Sequence, residues 1–393
     1  MLRPDTFALT ALLALLTGLG PLSTDLYLPS MTDIGRSLAA SPAQVQFTLS
    51  SYLIGIAVGQ ILYGPVSDRH GRKRVLLAAL GVYCVASFVC CVANSIEMLI
   101  GARFLQALGG SGAIVLARAV VRDLYSGARA GRELSLMSAV MAIAPVVAPI
   151  IGGVVQTASG WRATFAVLTA IGIAALLAVW RLLPETLRER ASEPVSFGAS
   201  LRSFGVLARN RIFVVHTAAV ALSYGGLFAW ISGASFVLQD IYHLTPFTFG
   251  VAFAATAAGY MTGAVLAARI VSRIGLERTI GLGAGALASG GLAMSLALLL
   301  APLSVLSLIL PMAIYTAGIG LVLPQAFAGA LTPFPERAGA ASSLIGFVQQ
   351  MSAAIIGAGI GQLLVSAWPI ALTLALMGGL TALLWLLARP SRI

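Results

Sequence analysis

The chain has 393 residues, 59% of them hydrophobic and only 9% charged. An average soluble domain is about one-quarter charged, so this chain lacks the polar groups to clothe a soluble surface, which excludes a soluble enzyme or a nucleic-acid-binding protein. The formal net charge of +11 then has to be explained by where the basic residues sit, because they also collect at one face of membrane proteins.

A spanning helix takes about 20 apolar residues, and its ends and turn about a dozen more, so the length predicts about twelve spans. The N-terminal stretch MLRPDTFALTALLALLTGLG has the basic start and apolar run of a signal peptide, but no A-x-A site follows it. It is read instead as a first span over 7–29, with STDLYLPS at 23–30 as its polar outer end. Further spans are predicted at 44–66, 75–94, 97–120, 134–158 and 163–183. A polar stretch, 184–210, follows, and its second part has apolar residues at helical spacing with Arg on the other face. That pattern predicts an amphipathic helix lying on the membrane surface. The remaining spans fall at 212–238, 247–271, 279–301, 304–331, 340–365 and 368–388. Pro21, Pro145, Pro149, Pro311 and Pro324 lie inside spans, where membrane helices tolerate them.

The basic residues test this layout. One set of loops and ends holds Arg3; Arg69, Arg72, Lys73 and Arg74; Arg118, Arg122, Arg129 and Arg132; Arg181, Arg188, Arg190, Arg202, Arg209 and Arg211; Arg269, Arg273 and Arg278; Arg337; and Arg389 and Arg392. The alternate set holds only Arg36 and Arg162, and Arg103 lies inside a span. This asymmetry predicts that both termini are cytoplasmic and accounts for the charge without nucleic acid. The expected organisation is an all-α membrane protein of two six-helix halves, 1–183 and 211–393, joined by the linker 184–210. The halves echo each other weakly: GPVSDRHGRKR (64–74) and ARIVSRIGLER (268–278) occupy equivalent places, with Ser272 where the first copy has Asp68. Two such halves are a transporter architecture, with a site between them at mid-membrane.

Cys84, Cys90 and Cys91 share one apolar stretch, and His70, His216 and His243 are far apart, so neither a disulfide framework nor a metal site is expected. Lys73 is the only lysine and is followed by Arg74, so no phosphate-cradling G-x-x-x-x-G-K-[ST] loop exists and no nucleotide cofactor is expected. No catalytic Ser/His/Asp arrangement stands out, and the chain is read as a non-enzyme.

The loop 64–74 closely resembles the signature loop of the major facilitator superfamily, G-x-x-x-D-R-x-G-R-[RK], which Gly64, Asp68, Arg69, Gly71, Arg72 and Lys73 fill. STDLYLPS, Arg103-x-x-Gln106-x-x-Gly109, APIIGG at 148–153, GWRATF at 160–165 and LPETL at 183–187 resemble the Bcr/CflA branch of drug:proton antiporters, which includes bicyclomycin and phenicol exporters. Two motifs depart from that pattern. Ala107 follows Gln106 where Gly is usual, and in span five Ser135, Ala144 and Ala148 replace glycines while Pro149, Gly152 and Gly153 remain. The resemblance implies an inner-membrane multidrug antiporter that exports small amphiphilic antibiotics in exchange for protons by alternating access. Its partners are the drug, protons and the bilayer. A monomer is expected, since twelve spans make a complete pathway.

Asp25 and Arg103 are the charged residues well inside spans, and such charges mark pathways. Arg103 is seven residues into its span, or ~10 Å, which places it at about the depth of Asp25, near enough to share a cavity and pair. Asp25 is expected to exchange the proton, against the alternative of a carboxylate solvated at the outer rim. In related antiporters the arginine matching Arg103 is implicated in coupling. Asp68, Arg72 and Asp123 are expected to form a charge network that holds the outward-open state, whereas Arg69 and its basic neighbours set topology. Pro145, Pro149, Gly152 and Gly153 are expected to bend and pack span five. Candidate drug contacts are Tyr27, Tyr52, Gln106, Tyr224, Phe228, Trp230, Tyr260, Tyr315 and Gln349, each weighed against simple packing. His216 is read as a packing histidine rather than a second proton site. The rival functions are a proton-linked metabolite exporter or importer on the same fold and, in another class, a membrane sensor that moves nothing.

Overall fold

The computed structural model describes residues 7–125, 127–187 and 197–388, and among them every regular element is helical. Arg3, Arg389, Arg392, residues 188–196 of the predicted linker with Arg188 and Arg190, and the side chain of Ser135 lie outside the described residues. Among the described residues, twelve helices are long and apolar enough to cross a membrane. In chain order the elements are α1 (Phe7–Asp25), α2 (Met31–Ser37), α3 (Pro42–His70), α4 (Arg72–Cys91), α5 (Ile96–Leu124), α6 (Gly127–Ser159) and α7 (Trp161–Leu182). They are followed by α8 (Phe197–Leu207), α9 (Arg211–Phe236), α10 (Pro246–Ile274), α11 (Leu276–Leu300), α12 (Leu306–Leu331), α13 (Ala338–Gln362) and α14 (Trp368–Ala388).

Local chemistry sets the boundaries. Ser41 and Gln44 form a reciprocal capping box ahead of Pro42, and the Ser95, Asn210 and Thr245 side chains cap α5, α9 and α10. Gly71, Gly160 and Gly275 take φ of 93°, 74° and 84° at the tight turns between α3 and α4, α6 and α7, and α10 and α11. Large apolar side chains such as Phe88, Trp180, Leu292 and Leu383 stay exposed on the outside, where a bilayer would cover them.

The first span differs from expectation. Helix does not end at residue 29; it breaks at Tyr27 and Leu28–Ser30 and resumes as α2, so the apolar segment runs from Phe7 to Ser37. Pro29 supplies no N–H to continue the α-helical ladder, and the chain turns once and carries on. STDLYLPS is therefore an interior break, with every residue of it buried, rather than a polar outer end.

Packing follows a two-fold pattern. In the first six spans α1 packs on α5 and α6, α3 and α4 pack on α5, and α4 on α7. The second six repeat this: α9 packs on α12 and α13, α10 and α11 on α12, and α11 on α14. The principal cross-contacts are α3 with α13 and α6 with α10, which the same two-fold relation exchanges. Helix α8, in the segment expected to be amphipathic, packs against α13.

An even number of spans puts Phe7 and Ala388 on one side, here the terminal side, and the Arg211 guanidinium at the start of α9 donates to the Ala388 carbonyl there (3.4 Å). The halves are bridged on the opposite, far side. There Ser235 donates to the Leu28 carbonyl (2.7 Å), Gln239 to the Pro29 carbonyl (3.2 Å), Gln46 to Ser232 (2.7 Å) and Ser50 to the Ala354 carbonyl (3.0 Å). Arg36 pairs with Asp240 at 2.7 Å at the rim. Further along the same two helices, α3 and α13, Gln60 lies against Gly346. Below it, Gly64 and Gly339 face open space.

Candidate functional site

Breaking α1 in mid-span leaves its last carbonyls without helical donors, and these form the negative end of a helix dipole. Arg103, fully buried on α5, answers that end. Its Nη1 donates to the Ser23 carbonyl (2.9 Å) and to Gln106 Oε1 (2.6 Å). Its guanidinium lies over the rings of Tyr27 and Tyr52, 4.3 and 4.2 Å from their centroids. A relay holds these partners: Gln106 donates to Ser87 (2.8 Å), Ser23 shares a hydrogen bond with Tyr83 (2.8 Å), and Tyr27 shares one with Thr48 (3.2 Å). Arg103 Nε and Nη2 have no hydrogen-bond partner.

The expected Asp25–Arg103 pair is not formed. Arg103 is neutralised by a helix end and two aromatic faces, so it needs no carboxylate. Asp25 is 4% exposed, and its carboxylate makes no hydrogen bond or ion pair among the described residues. It lies instead within electrostatic range of Tyr52 of α3 and Tyr224 of α9. Tyr224 in turn lies against Gln349 of α13 and near Tyr260 of α10. Phe228 packs on Tyr224 with centroids 5.0 Å apart. Asp25, Tyr52, Tyr224, Tyr260 and Gln349 thus come from both halves to one cluster, with Tyr224, Tyr260 and Gln349 partly exposed. A carboxylate on one wall and phenols and an amide on the other can bind a proton and a polar, partly aromatic molecule.

The other candidates lie apart. Tyr27 and Gln106 are sealed around Arg103. Trp230 and Tyr315 are fully buried in the second half, the Tyr315 hydroxyl against Gly226, and neither the Trp230 N–H nor the Tyr315 hydroxyl has a hydrogen-bond partner. His216 packs edge-on against Trp385 (5.4 Å between ring centroids), with its Nδ1 2.8 Å from the Ile212 carbonyl and Nε2 3.6 Å from Glu277.

At the terminal side, Arg72 binds Asp68, Asp123 (2.9 Å) and Ser67 (2.6 Å). Thr186 donates to Asp123 (3.2 Å), and Glu185 accepts the backbone N–H groups of Arg72 (2.9 Å) and Lys73 (3.2 Å). That carboxylate sits over Gly71 at the N-terminus of α4, where the helix dipole favours it. Arg69 is exposed. The network lies within the first half and the start of the linker and is complete while the far side is closed, so it ties α3, α4, α5 and the post-α7 segment together. It is not a bridge between halves.

Pro145 and Pro149 sit inside α6 without ending it. A Cβ on Gly152 would strike the Leu26 carbonyl at the break, and one on Gly153 the Pro246 backbone. Gly250 of α10 meets Pro149 and Ile150 in the same way. This motif brings α6 against both the break in α1 and the start of α10. Sequence reasoning missed Gln46, Ser50 and Ser232 at the far-side seam, and Glu185 as a helix cap. The available signal was polar side chains in apolar spans: Gln46, Ser50 and Ser232 are each at most 1% exposed.

Comparison with known proteins agrees with this architecture. The Major Facilitator Superfamily profile matches residues 13–356. The chain is 34% identical to the "Uncharacterized MFS-type transporter YdgK" of Bacillus subtilis, over 91% of this chain and 89% of the relative. It is 32% identical to the "Bicyclomycin resistance protein homolog" of Haemophilus influenzae (90% and 89%) and 31% identical to the "Chloramphenicol resistance protein" of Pseudomonas aeruginosa (90% and 84%). Among solved structures, a D-xylose-proton symporter superposes with a TM-score of 0.76 over 96% of this chain and 97% of the other, at 18% identity.

Proposed function

The chain belongs to the Major Facilitator Superfamily, a family of transporters rather than enzymes, and on that premise we propose that it exports small amphiphilic antibiotics in exchange for protons across a bacterial inner membrane. The relatives named for bicyclomycin and chloramphenicol resistance support the cargo class. The arginine-rich loops support a cytoplasmic terminal side. The observation that carries the reading is Asp25: a buried carboxylate without a partner, in a cluster built from both halves.

A charge so placed is stable as an anion only when water reaches it, and as a neutral acid when the site is closed and dry. Rocking the halves changes which side hydrates the cluster. With the far side open, Asp25 takes a proton. With the terminal side open, water reaches Asp25, and a drug settling against Tyr52, Tyr224, Tyr260 and Gln349 offers its polar groups to the carboxylate in place of the proton, which leaves. The residues assign roles accordingly. Asp25 carries the proton, Arg103 holds the broken end of α1 in place, and the tyrosines and Gln349 meet the drug.

The test is drug susceptibility in an efflux-deficient bacterium, comparing wild type with Asp25→Asn at equal membrane expression. The panel comprises bicyclomycin, phenicols, sulfonamides, tetracycline and cationic dyes. The expected result is resistance to at least one neutral drug that the Asn variant loses. Wild-type resistance in the variant contradicts the role of Asp25, and no resistance in either contradicts the cargo class.

A further inference from the structure

Arg118, which its position in the sequence groups with the loops and ends, is used by neither the Asp25 cluster nor the Arg72 network. Arg118 lies on α5 six residues before its terminal-side end at Leu124, ~9 Å inside the helix at 1.5 Å per residue. It is one turn beyond Ile114, whose side chain packs on Gly20 of α1 and clusters with Tyr52. Arg118 therefore continues the inner face of α5, on the terminal side of the Asp25 cluster. Its side chain is exposed, and its guanidinium reaches Met141 Sδ of α6 at 3.8 Å.

No carboxylate among the described residues pairs with it. Asp68 and Asp123 are held by Arg72, Glu133 accepts from Thr10 (2.6 Å), and Glu185 caps α4. Arg122, one turn further along, adds a second positive charge that interacts with the first. Across the gap, α9, α10, α12 and α13 carry no acidic residue, and the one carboxylate just ahead of α13, Glu336, is followed directly by Arg337. An unpaired cation inside a span costs several kcal/mol unless water or a ligand attends it, and topology is already served by Arg122, Arg129 and Arg132 at the helix ends. A cleft lined by one sign of charge with low-dielectric walls concentrates the opposite sign.

We propose that Arg118 selects cargo by charge at the terminal-side mouth, recruiting amphiphiles that carry an anionic group and turning away organic cations. This deepens the export reading and rests on it. Arg118 acts on approach, before the cargo reaches Asp25, so one pathway holds a cationic filter at the mouth and a protonatable carboxylate at its end.

The test uses everted vesicles, which present the terminal side outward, and three probes: carboxyfluorescein as anion, chloramphenicol as neutral reference and rhodamine 123 as cation. Initial rates are measured for wild type, Arg118→Gln and Arg118→Lys. The expected result is that wild type prefers the anion to the cation. Arg118→Gln should raise the anion KM relative to the chloramphenicol KM about tenfold, as loss of one close charge pair would, with little change in the kcat ratio, and Arg118→Lys should restore it. Equal loss for all probes would make Arg118 a packing residue and overturn the proposal, as would a wild type that prefers rhodamine. Movement of none of the three overturns the export reading, and this inference with it.

Discussion

Arg103 shows how a buried charge is made tolerable without an opposite charge. Its partners are a helix-end carbonyl, an amide oxygen and two tyrosine faces, all fixed by a relay through Ser23, Ser87 and Tyr83. Arg103→Met keeps the length and removes the donors, leaving the Ser23 carbonyl and Gln106 Oε1 buried without them. The expected loss is about 3 kcal/mol, read as a lower melting temperature in detergent. Unchanged melting would mean that the α1 break is held by packing alone. Arg103→Lys should recover part of this loss, because one ammonium reaches the carbonyl but cannot lie flat over two rings. The pairing of Asp25 with Arg103 was the natural reading of the sequence, since two opposite charges at one depth invite it. The competitor that won, the open carbonyl end of a broken helix, has no side chain and left its only trace in Pro29.

At the scale of elements, the far-side seam is closed in two layers. The Arg36–Asp240 pair is well exposed, with side-chain exposures of 72% and 40%, and such pairs contribute ~0–1 kcal/mol. Gln46, Ser50 and Ser232 are buried, where an unmade hydrogen bond is costly, so they set the stability of the closed seam. Gly357 leaves the room for them: a Cβ there would lie 2.7 Å from both Gln46 Nε2 and Ser232 Oγ. Gly357→Ala should therefore wedge the seam open. In a chain with Cys84, Cys90 and Cys91 changed to Ser, a Tyr224→Cys probe should then react several-fold faster with an impermeant thiol reagent applied from the far side. An unchanged rate would show that the seam absorbs a methyl group. On the terminal side, Glu185→Ala removes the carboxylate that caps α4 and should cost about 1 kcal/mol of thermal stability. A larger loss would mean that the carboxylate also anchors the Arg72 network.

Most elements were legible because a membrane helix advertises itself by length and hydropathy. The last span, predicted at 368–388, is Trp368–Ala388. The first was cut short because the polar run in STDLYLPS looks like an exit, and only α2 beyond it shows that the run is buried. The site was half legible. Tyr52, Tyr224, Tyr260 and Gln349 converge with Asp25, but Trp230 and Tyr315, chosen by the same criterion, are walled into the second half. Residue type and span give depth; which face a residue turns inward depends on helix rotation, and weakly amphipathic helices reveal that poorly.

Over the whole molecule, two similar six-helix units meet along α3–α13 and α6–α10, and they are unbridged by hydrogen bonds on the terminal side among the described residues. This arrangement leaves Asp25 between the halves, beneath the closed seam. In unbuffered detergent solution, drug binding should release protons from wild type, while Asp25→Asn should bind the same drug and release none. Proton release from the Asn variant equal to that of wild type would contradict the assignment of the coupling site to Asp25.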